Sequence, residues 1–335
     1  MTIGKLSGLA IRALSICAIA SGAIAADTPC SLRQIGELPL TYAGGDLVVD
    51  AAINGTPMKM AIDTGSFATS IFRPTADKLG LRMKEIQGVT VYGVGGSDKL
   101  YEVGVKELKV AGLVAHNMDL SVTGGRTFGD VGGLLGVGFI FQSDVEFDVA
   151  GGKLRFFKPQ HCAGDQVVYW GKAYSVAPLI GDPRHQLLVD VKLGDGTVRA
   201  VMDSGAPKTT VNRQSAARYA TRDVAVQAAE NTYGVGRGSV ETSVAMFPSF
   251  SFGDETIRNA KLNVADLFHA DREVRLGSRI AEPIVEETTM LIGADFFRSH
   301  RIYVSLGQKK VYVSYVGGPV FDTRAAAPSS SAPAK

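Results

Sequence analysis

Two short segments carry the chemistry this sequence can offer. Asp63-Thr64-Gly65-Ser66 and Asp203-Ser204-Gly205-Ala206 each set an aspartate ahead of a hydroxyl residue and a glycine. Both follow an apolar run, Met60-Ala61-Ile62 in one case and Ala200-Val201-Met202 in the other. Such a run would hold its carboxylate rigidly in a low-dielectric setting. The glycine would let the chain turn sharply and approach a partner closely. The Thr64 and Ser204 hydroxyls could bond a neighbouring backbone and lock two turns together. One such tripeptide is weak evidence, because aspartates commonly form turns. Two carboxylates face to face, about 3 Å apart, are a different matter. They cannot both ionise easily, so they share a proton and titrate as a coupled pair. The ionised member then suits a general base acting on water, and the protonated member a general acid. That chemistry needs no metal, cofactor or covalent intermediate.

The case for a pair rests on an internal repeat. Residues 47–63 (LVVDAAINGTPMKMAID) and 187–203 (LLVDVKLGDGTVRAVMD) align without a gap at an offset of 140. Each reads as a hairpin, with Asn54-Gly55 and Gly194-Asp195-Gly196 as the turns. The likeness continues from Tyr92-Gly93-Val94-Gly95-Gly96 to Tyr233-Gly234-Val235-Gly236-Arg237. Gly133-Leu134-Leu135-Gly136 then matches Met290-Leu291-Ile292-Gly293, each followed by a short helix and a strand pair, Val145–Phe157 and Ile302–Tyr315. The offset has by then grown to 157, which predicts a polar surface loop of extra residues within 266–288. Asp50 and Asp190 also repeat and read as solvated strand positions. The glycines at 93, 95 and 96 miss the spacing of a dinucleotide loop.

The elements that must position these turns are short strands and glycine turns, with helical periods confined to 74–80, 137–142 and 213–220. The expected fold is mainly β: two similar closed β-barrel lobes with a cleft between them. The expected division is a signal peptide at 1–25, an N-terminal lobe at 31–165, a C-terminal lobe at 166–322 and a low-complexity tail at 323–335.

Composition agrees with a globular, turn-rich protein: 335 residues, 45% hydrophobic, 39 glycines and a formal charge of +2. No basic patch or acidic run points to nucleic acid. Lys5 and Arg12, the apolar stretch Ala13–Ala20 and Ala23-Ile24-Ala25 have the form of a cleavable export signal. No later segment approaches the length of a membrane span. Cleavage would leave Cys30 and Cys162, which in an oxidising compartment suggest one disulfide; two unpaired buried thiols are the alternative. The five histidines read as structural or surface residues, with no metal site.

Over about residues 40–322 the sequence resembles the retropepsin-like aspartic peptidases, in the tandem single-chain form found in bacteria. The resemblance rests on the two Asp-Thr/Ser-Gly turns and the apolar runs ending at Gly136 and Gly293. It implies an acid-protease fold and an aspartic endopeptidase, with Asp63 and Asp203 catalytic. Thr64, Gly65, Ser66, Ser204, Gly205 and Ala206 would support the two turns. It makes Tyr92–Gly95 and Tyr233–Gly236 flaps over an extended polypeptide substrate, and it implies a periplasmic or secreted monomer. Relatives carry an aspartate after the crossing motif; Asp295 fits, whereas Gly138 stands there in the first half, a difference expected to touch local helix capping only. The alternatives are a catalytically silent peptide-binding protein on the same fold and an assembly factor of the cell envelope.

Overall fold

A computed structural model describes residues 29–321 apart from 94–95, 125–129, 172, 222–226, 229–231, 234–238 and 268–287. The export segment, the tail at 323–335 and most of the insertion at 266–288 lie outside the described residues.

Each half builds the same object. In Asp46–Ile53 the side chains of Leu47, Val49, Ala51 and Ile53 line the main core at the period of two that a strand requires, and Val48 is buried on the other face with Ala61 and Phe72. Asn54 and Gly55, at φ of 49° and 81°, turn the chain into Thr56–Ile62. In the second half Val189, Val191 and Leu193 are buried in Leu188–Leu193, Gly194 (φ 61°) begins the turn, and Gly196–Met202 returns.

Around each hairpin a ring of six strands closes. In the first half the order is Asp46–Ile53, Thr56–Ile62, Val131–Leu135, Ser70–Phe72, Leu113–Thr123 and Gly96–Val110, which pairs back to Asp46–Ile53. In the second half it is Leu188–Leu193, Gly196–Met202, Met290–Ile292, Thr210–Asn212, Glu255–Ala265 and Ser243–Phe252, which pairs back to Leu188–Leu193. Parallel and antiparallel pairs fall at the same places in both rings. Two similar closed barrels are therefore present. In each, the strand of the crossing motif lies parallel to the strand that ends at the aspartate.

Short helices follow at Arg73–Lys78, Val137–Ile140, Arg213–Tyr219 and Ala294–Ser299. Asn212 caps the third by accepting the Ser215 amide at 2.8 Å.

The strand pairs assigned one to each half do not stay apart. Ser31–Pro39, Lys153–Gln160, Asp144–Asp148, His300–Ser305, Lys310–Tyr315 and Ser175–Pro178 form a single six-stranded sheet. Asp144–Asp148 pairs with His300–Ser305 across the repeat, so the sheet joins the two barrels. Charge fixes that seam. Glu146, fully buried, receives Arg301 from the opposite strand at 2.8 and 3.0 Å and also bonds Arg155. Asp144 accepts Tyr303, Ser305 and the Leu306 amide at 2.9–3.1 Å. A disulfide links Cys30 to Cys162 at the ends of the paired strands Ser31–Pro39 and Lys153–Gln160.

Glu146 would be left without compensation only if both of its guanidinium partners were removed. The double variant Arg155→Ala/Arg301→Ala is therefore expected to cost about 3–5 kcal/mol in a urea titration. Arg301→Ala alone should cost less, since Arg155 still pairs with Glu146, whereas substitution of the exposed Arg184 should change stability by less than about 1 kcal/mol.

Candidate active site

The barrels place the two catalytic-type turns against one another. Asp63 follows the last residue of Thr56–Ile62, and its amide donates to the Leu135 carbonyl at 3.0 Å. Asp203 follows Gly196–Met202 and donates to Ile292 at 2.8 Å. The crossing runs thus hold each aspartate backbone from behind. Gly136 and Gly293 allow this, since a Cβ at either would lie 2.5–2.7 Å from the backbone of the turn it supports.

The hydroxyl residues cross between the halves. Thr64 Oγ1 donates to the Met202 carbonyl at 2.6 Å and accepts the Ser204 amide at 2.9 Å. Ser204 Oγ donates to the Ile62 carbonyl at 2.7 Å and accepts the Thr64 amide at 3.1 Å. Both side chains are fully buried. The glycines face the opposite carboxylates: a Cβ on Gly65 would sit 2.4 Å from Asp203 Cγ, and one on Gly205 would sit 2.4 Å from Asp63 Cγ. Only glycine leaves room for this approach.

Each carboxylate accepts the amide two residues on, Gly65 at 2.9 Å and Gly205 at 3.0 Å, and Asp203 also accepts Ala206 at 3.2 Å. These bonds favour the charged forms. Desolvation outweighs them and raises both carboxyls, although each keeps a partly exposed face. For Asp63 the Asp203 charge adds to desolvation, and a hydrogen bond between the carboxyls raises it further. That same bond lowers Asp203, so the pair holds one proton between two unequal groups.

Thr69 and Thr209 were not singled out from the sequence. Each stands six residues past its aspartate, so the repeat offset alone could have found them. Thr69 Oγ1 accepts the Gly136 amide at 3.3 Å, and Thr209 Oγ1 accepts Gly293 at 3.0 Å.

Asp295 does more than cap a helix, which corrects the sequence reading. Its buried carboxylate accepts the Thr209 amide at 3.0 Å and the Thr209 hydroxyl at 2.6 Å, besides the adjacent Phe296 amide. It therefore ties the crossing motif to the loop after Asp203, a tie that Gly138 cannot make in the first half.

Of the flap candidates, Tyr92 and Gly93 end the strand Lys84–Gly93, which pairs with Gly96–Val110; Val94 and Gly95 lie outside the described residues. Tyr233 lies in the small hairpin Thr232–Tyr233 with Ser239–Val240, and Gly234, Val235 and Gly236 lie outside the described residues.

Two barrels meeting at a proton-sharing aspartate pair define an aspartic-type hydrolase. Family comparison agrees: residues 49–142 match the model described as "gag-polyprotein putative aspartyl protease", and residues 189–296 match "Aspartyl protease". Each matched span contains one Asp turn and one crossing motif. The chain belongs to the retropepsin-like aspartic peptidases, in tandem single-chain form. Comparison with curated proteins returns no match. Among solved structures, the chain is similar to the aspartic proteinase from Irpex lacteus, with 16% identity, a TM-score of 0.47, and coverage of 85% of this chain and 97% of that one.

Burial raises the Asp295 carboxyl from 3.8 to about 6. The folded protein then holds a proton that the unfolded chain releases, so this group favours folding below pH 3.8 and loses that contribution as pH rises through about 6. The full difference is about 3 kcal/mol. Between pH 4 and 7, urea titrations should show wild type losing stability more steeply than Asp295→Asn. Parallel curves would contradict the assignment.

Proposed function

We propose that this peptidase cleaves within extended polypeptides, using a water held between Asp63 and Asp203. The observation that carries this reading is the reciprocal placement of two raised carboxyls, each opposite the other turn's glycine. The ionised member takes a proton from the water, whose oxygen bonds the scissile carbonyl carbon. The protonated member donates to the carbonyl oxygen. The tetrahedral species then collapses and the C–N bond breaks: the amine nitrogen takes the proton that the first carboxylate drew from water, and a hydroxyl of the diol returns a proton to the second, which restores the pair. Catalysis rests on Asp63 and Asp203. Thr64, Gly65, Ser66, Ser204, Gly205 and Ala206 keep the pair in register.

An extended substrate suits a site between two β barrels, where main-chain bonds from hairpins on either side can hold it. Tyr92–Gly95 and Tyr233–Gly236 are proposed as those hairpin tips. The protein is further proposed to be exported and to act as a monomer. The cross-repeat site supports a monomer, because one chain supplies both aspartates. The Cys30–Cys162 disulfide supports an oxidising compartment. Among the described residues no helix is long and apolar enough to cross a membrane.

Digestion of a random peptide library by residues 26–335 across pH 3–8 tests this reading. Wild type should cut internal bonds in the acid range, and Asp63→Asn and Asp203→Asn should each lose at least about a thousandfold in rate. Folded wild type that binds peptides and cuts none would instead make it a peptide-binding protein.

A further inference from the structure

The cross-lobe hydrogen bonds of Thr64 and Ser204 lie at the centre of the dyad. A second layer of contacts lies outside them, and it obeys the same repeat. Phe67 stands four residues after Asp63, and Pro207 four after Asp203. Gly45 stands 18 residues before Asp63, and His185 18 before Asp203. Phe67 stacks on His185, with ring centroids 5.9 Å apart and planes 24° apart. Pro207 packs on Gly45 so closely that a Cβ there would lie 2.8 Å from Pro207 Cβ. Each catalytic turn thus touches the opposite half at the equivalent place. Two pseudo-symmetric clasps flank the dyad.

The two turns are not equally braced from within. Behind Asp203, the Asp295 carboxylate grips Thr209. Behind Asp63 the corresponding residue is Gly138, and a Cβ there would meet the Phe67 carbonyl at 3.6 Å. The first turn has the Thr69 hydroxyl, at 3.3 Å from Gly136 N, and the Ser66 hydroxyl, which donates to the Ala68 carbonyl at 3.0 Å, but no carboxylate. The aromatic clasp falls on the turn that lacks the buried carboxylate.

The partner ring is presented by a preformed loop. Gly181 takes φ 71°, and the Asp182 carbonyl accepts the amides of His185 and Gln186 at 2.9 and 3.2 Å. Arg184 grips the Asp182 carboxylate through its amide at 3.0 Å and its guanidinium at 2.7–3.1 Å. His185 is therefore held by its own turn before Phe67 arrives. Phe67, by contrast, is 65% exposed, the most exposed large apolar side chain among the described residues. An aromatic side chain that open buries little area for stability, but its stack contributes where orientation matters.

We propose that Phe67 is a positioning residue for Asp63: its stack on His185 replaces, from outside, the buried brace that Asp295 gives Asp203. The inference rests on the peptidase reading above. Substrates selected from the library digest give kcat and KM for Phe67→Ala, His185→Ala, the double variant and His185→Phe, beside Tm. Phe67→Ala and His185→Ala should each lower kcat about tenfold, in line with small displacements of reacting groups, with KM changed less than about twofold. The double variant should be no worse than either single one, and His185→Phe, which keeps a stacked ring, should recover most of the loss. A kcat for Phe67→Ala within about twofold of wild type, losses that multiply, or no recovery with His185→Phe would each overturn the proposal. Hydrogen exchange at the amides of residues 64–68 provides a readout without turnover. It should quicken in Phe67→Ala and His185→Ala, while unchanged exchange would overturn the clasp. An inactive wild type would count against the peptidase reading alone.

Discussion

The structure depends on four hydrogen bonds between Thr64 and Ser204 and the backbones they reach. Each hydroxyl donates to the carbonyl just before the other aspartate and accepts the other's amide. All of these groups are buried between the barrels, so none has water as an alternative partner. The consequence is geometric. Neither barrel can shift without breaking bonds at the base of both turns, and the carboxylates are fixed at a separation where one proton serves two groups. The glycines complete the constraint, because any side chain at Gly65 or Gly205 would occupy the space of the opposing carboxylate.

Layers outside this centre brace it by different means. The crossing runs hold each aspartate amide from behind, symmetrically. The six-stranded sheet joins the halves at the far side through Glu146, Arg155 and Arg301. Here the symmetry is broken, since the first half supplies Glu146 and Arg155 and the second supplies Arg301. It is broken again at Asp295 and Gly138. A site that must keep one carboxyl protonated and its neighbour charged benefits from unequal surroundings, and the fold supplies them without disturbing the central bonds.

Much of this was legible in the sequence, for a physical reason. The turns, hairpins and crossing runs are local, and a repeated local pattern shows itself at a constant offset. Asn54-Gly55 predicted a turn because its residues tolerate positive φ, and both adopt it. The joined sheet was not legible. The register of Phe147 against Ile302 depends on two strands that are each internally consistent alone, and nothing local announces a partner 155 residues away. The role of Asp295 was underestimated for the same reason: position after a crossing glycine suggests a cap, whereas its partner Thr209 is 86 residues distant. Thr69 and Thr209 were within reach, because they repeat at the same offset as the aspartates.

The central claim is that Asp63 and Asp203 hold one proton as a unit. Titration of carboxyl-labelled aspartates by carbon NMR measures that directly, in wild type and in the two Asp→Asn variants. The account predicts that wild type shows two widely separated steps, with one carboxyl staying protonated well above the ordinary value of 3.8. Each single variant should lose the coupled behaviour and leave one step. Two independent titrations near 3.8 in wild type, unchanged when the partner is replaced, would contradict it.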